Sequence, residues 1–219
     1  MQRDPETSGL GPDGGPRRPT LPGPSRDSAR RWRRDALGTW RFWSVSAPFA
    51  LGLTAQVGVL THLVALVTPT LAAGGAAHAI STVTGAAVVG RVAIGLVVDR
   101  LNRRLVTSGI LVVQFAGLAL LWWAPTVVVT YAGCALFGLG VGNLTTLPGL
   151  ILAVEWPREG FATLVGLVVG INQVTFAFGP LLVGVMRDRA GAYDPALGAC
   201  MALQAIAAIT IVLGPKRRS

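Results

Sequence analysis

Residues 85–105 read GAAVVGRVAIGLVVDRLNRRL, with a lone arginine, Arg91, inside an apolar, glycine-spaced run that then ends in a cluster of charges. In a soluble protein such a run belongs to a core, where an unpaired charge is excluded. In lipid it is a spanning helix, where a charge marks an interior cavity or a partner. Composition separates the two. Of 219 residues, 52% are hydrophobic and 13% charged, and mean hydropathy is +0.57, far from the ~25% charged content of a soluble domain. The chain reads as a membrane protein.

The apolar residues lie in continuous blocks near 43–68, 76–98, 105–124, 127–153, 162–186 and 195–214. Each is roughly 20 residues or longer, enough for a ~30 Å hydrocarbon core, whereas a spanning strand needs only ~10 alternating residues. Six transmembrane helices are expected, an all-α integral membrane fold. The formal charge of +9 suits nucleic acid in principle, but the basic residues fall at alternate block boundaries. Arg30, Arg31, Arg33, Arg34 and Arg41 precede the first block, and Arg100, Arg103 and Arg104 follow the second. Arg158 follows the fourth, and Lys216, Arg217 and Arg218 follow the sixth. The loops 69–75 and 124–126 carry no Lys or Arg, and the loop after the fifth block carries only Arg187 and Arg189. This positive-inside pattern puts both termini in the cytoplasm and argues against a nucleic-acid partner.

Residues 1–38 hold six of the fourteen prolines amid glycine and mixed charge, so they are expected to be a disordered cytoplasmic tail or linker. The transmembrane domain is set at 39–215, followed by a basic cytoplasmic tail at 216–219. Trp32, Trp40, Phe42 and Trp43 suit an interfacial belt. Cys134 and Cys200 fall inside blocks without metal-ligand spacing and read as small buried residues. No cofactor or metal is implied. Glycine is densest in GCALFGLGVGNLTTLPGL, 133–150, where Gly138 and Gly142 share a helix face; small residues there suit close helix packing, with a flexible gating helix as the functional alternative.

The second block ends in Gly95, Asp99, Arg100, Asn102, Arg103 and Arg104, a G-x3-D-R-x-N-R-R pattern. It resembles the cytoplasmic loop signature of the major facilitator superfamily, usually G-x3-D-R-x-G-R-R. The resemblance implies a conformational latch in which the aspartate pairs with arginines of the loop and a neighbouring helix. Asn102 replaces the commoner glycine and tolerates a left-handed turn. A second stretch, GINQVTFAFGPLLVGVMRDRAGAYDPAL at 170–197, resembles the eleventh helix and following outer loop of that superfamily, with Gly179, Pro180, Gly184, Asp188, Gly191 and Tyr193 at the matching positions. The matches imply the second six-helix half of such a transporter. That leaves a secondary transporter, one half of a split or self-pairing one, or a truncated assembly partner or remnant.

Arg91 lies about 12 Å inside the end marked by Asp99, near the midplane, where an isolated charge costs from ~3 to more than ~10 kcal/mol. Gly90, Arg91 and Gly95 form a G-R-x-x-x-G pattern similar to monocarboxylate transporters and the oxalate/formate antiporter group, which implies that Arg91 binds a substrate carboxylate through its planar fork of donors. Where the oxalate exchanger has a lysine in its eleventh helix, this chain has Asn172 and Gln173, and a single cation suits a monoanion. Arg91, Asn172, Gln173 and Gln56 are the expected substrate-binding residues, and a small organic anion is the expected solute. His62 is a candidate proton-coupling group, since imidazole titrates in the physiological range; a helix-contact histidine is the alternative. Gln114, Asn143 and Thr145 either line the cavity or join helices, and Glu155 and Glu159 read as structural acids near the latch arginines. An intramembrane protease is disfavoured, because the Ser-Gly within a span, Ser108-Gly109, follows Val106 and Thr107 rather than completing a G-x-S-G nucleophile motif. The expected setting is a plasma membrane, with the bilayer and a second six-helix half or homodimer partner around the chain.

Overall fold

A computed structural model describes residues 26–124 and 126–215. Lipid offers backbone groups no partner, so a chain of continuous apolar blocks satisfies them within helices. The described elements are α1 (Arg26–Leu37), α2 (Trp40–Val97), α3 (Arg103–Trp123), α4 (Val127–Gly140), α5 (Asn143–Glu155), α6 (Arg158–Phe176), α7 (Gly179–Ala190) and α8 (Asp194–Val212). They make six helical stretches long and apolar enough to cross a membrane: Trp40–Ala72, Gly74–Val97, Arg103–Trp123, Val127–Glu155, Arg158–Ala190 and Asp194–Val212. These match the apolar blocks to within a few residues. The first two spans both belong to α2, which is interrupted at Ala72 by a positive φ of 58°. The fourth is α4 and α5 in series, and the fifth is α6 and α7.

Two sequence expectations change. The linker expected to be disordered over 1–38 is helical over Arg26–Leu37, because Trp32 and Ala36 give it a packed face: Ala36 is buried beside Phe42, Leu152, Leu164 and Val168. Residues 1–25 and the basic tail 216–219 lie outside the described residues. Of the expected interfacial aromatics, Trp40 and Trp43 are exposed, whereas Phe42 is fully buried; its ring has no polar edge to keep at the headgroups.

The first span occupies the centre, its Ala55, Val59, Leu63 and Val67 packing with Val183 of α7 and Leu197 and Cys200 of α8. Backbones meet at glycines, as expected where van der Waals contact replaces the hydrophobic drive between helices. A Cβ on Gly58 would stand 2.7 Å from the Gly179 carbonyl oxygen, one on Gly117 2.9 Å from the Gly133 oxygen, and one on Gly138 2.6 Å from the Val83 oxygen. The first span thus crosses the fifth, the third crosses the fourth, and the second crosses the fourth. Gly138 therefore serves helix packing, whereas Gly142 serves something else, described below.

Gly58→Leu is expected to cost more than the ~1–3 kcal/mol of an ordinary overpacked core site, because the obstacle is backbone. Gly149, with open space around its Cβ position, supplies the control. Monodisperse protein recovered in detergent should fall sharply for Gly58→Leu and hold for Gly149→Leu; equal recovery would contradict the crossing.

Candidate functional site

The fourth span does not run through the bilayer as one helix. Val141 is extended (φ −64°, ψ 130°), and Gly142 is left-handed (φ 85°), a conformation that glycine reaches without penalty. A helix break inside a membrane exposes carbonyls on one side and N–H groups on the other. Two carbonyls of the last turn of α4 find donors, and the Gly142 carbonyl gains a side-chain one. Val141 N–H donates to Gly138 O at 2.9 Å, Asn143 Nδ2 to Leu139 O at 3.0 Å, and Thr145 Oγ1 to Gly142 O at 2.7 Å. The N–H groups opening α5 do not gain the equivalent, because Gly142 at the N-cap has no side-chain oxygen. The break therefore presents the uncapped N–H groups of α5 and the positive end of its helix dipole.

Arg91 lies against this break: a Cβ on Gly142 would collide with its guanidinium. Its Cα is about 9 Å from the Val97 end of the second span at 1.5 Å per residue, nearer that end than the midplane expected from the sequence. Helical side chains tilt toward the N-terminus, so Arg91 leans back toward Gly142, at the middle of the fourth span. It is exposed, and the ion pairs and hydrogen bonds of the described residues include none for it. A full positive charge and a donor-rich helix end therefore face the same region.

The other expected binding residues are dispersed. Gln56 is buried and accepts a hydrogen bond from Gln114 Nε2 at 2.8 Å; Gln114 Oε1 in turn accepts from Gln204 Nε2 at 3.1 Å. This ladder joins the first, third and sixth spans and takes up the Gln56 amide. It reaches the break from elsewhere, since the Gln114 side chain abuts Gly140 while the Arg91 guanidinium abuts Gly142. Asn172 is buried with Oδ1 unpartnered, and Gln173 is exposed, as adjacent helical positions must point apart. His62 bridges elements: one ring nitrogen lies 3.3 Å from Tyr193 Oη and the other 3.2 Å from the Pro180 carbonyl oxygen. The neutral ring with Nε2 protonated satisfies both contacts, donating to Pro180 O and accepting from the tyrosine.

After the second span, Asp99 pairs with Arg103 at 3.0 Å across the turn that joins α2 to α3, with the aspartate 80% exposed. Arg100 is exposed, and Gly95 has open space around it. Asn102 is extended rather than left-handed and caps α3, accepting from Arg104 N–H. Arg104 turns inward, its fork gripping Glu155 through Nε to Oε1 at 2.7 Å and Nη2 to Oε2 at 2.8 Å. The same guanidinium donates to Ser44 Oγ at 3.1 Å and Ile211 O at 3.0 Å, while Arg41 reaches the Glu155 carbonyl and stacks over Trp156. Ends of the first, third, fourth and sixth spans meet in this knot. Sequence reasoning missed the break at Gly142 and the part of Gln204. The Gly-Val-Gly-Asn run at 140–143 signals the break; nothing local distinguishes Gln204.

No family model matches the chain. The chain is similar to a protein of Thauera aromatica named "Putative anionic 4-hydroxy-benzoate permease", 35% identical over 99 residues, which are 45% of this chain and 60% of that protein. The chain thus spans less than two thirds of the relative's length. This partial homology to a permease accords with a multi-pass membrane protein.

The knot makes a sharp expectation for stability. Removing one partner of a buried ion pair costs ~3–5 kcal/mol, whereas replacing both with apolar residues is often near neutral. Arg104→Met and Glu155→Leu should each lower the melting temperature in detergent, and the double variant should recover most of the loss. Additive losses would show that the two residues are not coupled.

Proposed function

We propose that this chain is a secondary membrane transporter, or the C-terminal half of one, that moves a small organic monoanion by alternating access. The observation that carries the proposal is the Arg91 charge, without a partner among the described residues, held against the uncapped start of α5 at Gly142. A carboxylate supplies what both lack: two acceptor oxygens for the guanidinium fork and negative charge for the helix end. One arginine without a second cation beside it suits a monocarboxylate. The permease relative's printed substrate, an anionic 4-hydroxybenzoate, is of this class and is the solute to try first. Gln173 is the second candidate contact, being exposed on the fifth span; Asn172 and Gln56 are better read as helix-joining amides, and His62 as a bridge. Asp99, Arg100 and Arg103 would serve as the movable part of the latch, in a plasma membrane with both termini cytoplasmic and a major facilitator-like half as the frame.

A non-transporting assembly partner is the second reading. The second and fifth spans are only 17% and 22% buried, against 39–56% for the other four. The second carries Arg91 and the fifth Gln173, so a second six-helix unit is expected to cover them before transport occurs.

The test is exchange of labelled 4-hydroxybenzoate in proteoliposomes, with the chain alone and with a companion first half. Transport should require the companion or self-association. Arg91→Lys should weaken apparent affinity by roughly tenfold or more, the scale of one lost charge-assisted hydrogen bond, and Arg91→Ala should nearly abolish exchange. Asp99→Asn should slow turnover while leaving affinity less changed. Unaltered affinity in Arg91→Ala, with only less folded protein, would make the arginine structural and remove the proposal's main support.

A further inference from the structure

The helix ahead of the first span carries a feature that transport does not use. Within α1, five arginines stand against two aspartates. Its inner face is fixed: the Trp32 ring fills the space over Gly160, where a Cβ would stand 2.7 Å from it, and Ala36 is buried. Arg30, Arg31, Arg33 and Arg34 are all exposed, and the ion pairs of the described residues include none of them. The acids nearest in sequence, Asp27 and Asp35, are exposed too. Trp40 and Trp43, exposed just beyond α1, place this end of the bundle at headgroup depth.

Beside Arg33 a groove of about 540 Å³ runs along α6, lined by Gly166, Leu167, Gly170, Ile171, Val174 and Thr175. Nothing stands within 4 Å of the Cβ positions of Gly166 and Gly170, so the trough is open along its length. From residue 166 to 175 the helix advances about 13 Å, close to the ~15 Å depth of one hydrocarbon leaflet. The lining is apolar except for Thr175, whose hydroxyl is already bonded to the Ile171 carbonyl at 2.7 Å. Cationic at the headgroup end and apolar below, the groove has the polarity of a phospholipid laid along the membrane normal.

We propose that this groove is a binding site for an anionic phospholipid, with its phosphate on Arg33 among the other α1 arginines and an acyl chain over Gly166, Gly170 and Val174. Free phosphate would use only the arginines and leave the trough empty, whereas a phospholipid uses both ends. Gln173 is not among the lining residues, but Gly170 and Gly166 share its side of α6, so the lipid is proposed for the chain without a companion half and would be displaced where one covers the fifth span.

The test uses the full chain in nanodiscs with spin-labelled phosphatidylglycerol or phosphatidylcholine, reading the motionally restricted fraction by electron paramagnetic resonance. Phosphatidylglycerol should be favoured about fivefold, the factor expected of one arginine at an anionic surface. Arg33→Gln should bring that preference close to one, and Gly170→Leu, which fills the trough on an open face, should reduce the restricted fraction of both lipids. Equal affinity for the two lipids in the wild-type chain would overturn the proposal. So would a phosphatidylglycerol preference that survives in both variants, because it would then belong to diffuse basic charge and not to this groove.

Discussion

A charge placed among apolar helices has to be neutralised by a partner, a ligand or water, and the arrangement of this bundle follows from how two arginines meet that demand. Arg104 is 7% exposed and meets it internally, through both carboxylate oxygens of Glu155, the Ser44 hydroxyl and the Ile211 carbonyl. Because those partners sit at the ends of three other spans, satisfying one guanidinium fixes the first, third, fourth and sixth spans together. Gly214 leaves the room this requires, since any Cβ there would run into the guanidinium. Among the described residues Arg91 has no such set of partners, and it lies on the second span, one of the two least buried. The unmet demand therefore falls where the bundle is least enclosed.

The same logic explains the backbone. Breaking a helix in hydrocarbon is tolerated only where the freed groups meet protein or line a cavity. At the break the Gly138 and Leu139 carbonyls are met by the Val141 amide and the Asn143 side chain, while α5 begins without a side-chain cap. An uncapped helix start is biased toward negative charge, and Arg91 adds to the bias instead of offsetting it. The amide ladder of Gln56, Gln114 and Gln204 shows the contrasting case: neutral groups that bond chiefly to one another and hold three spans at fixed spacing.

The spans were legible in the sequence because hydrocarbon thickness imposes a length that continuous apolar blocks display directly, and the buried glycine contacts were legible because close approach in lipid selects small residues. The helical form of Arg26–Leu37 was obscured by proline-rich neighbours and a basic composition; its order comes from Trp32 over Gly160, a contact between distant residues. The break at Gly142 was hidden for a related reason. Gly138 and Gly142 look equivalent by helical spacing, yet one packs on Val83 and the other adopts a left-handed conformation beside Arg91 of another helix. Arg91 itself was singled out by the cost of its charge, whereas Gln56 and Gln173 carry no such penalty and their surroundings had to be seen. The loop motif drew attention to Arg103 and Arg104 without showing that they divide between Asp99 and Glu155.

The central claim is that Arg91 and the start of α5 form an anion site, and the most direct measurement is chemical protection of that one guanidinium. The reconstituted chain is treated with phenylglyoxal, which modifies accessible arginines, and labelling at Arg91 and Arg100 is followed by mass spectrometry as 4-hydroxybenzoate is added. The account predicts saturable protection of Arg91 with Arg100 unchanged. Labelling of Arg91 at the same rate at every anion concentration would contradict it.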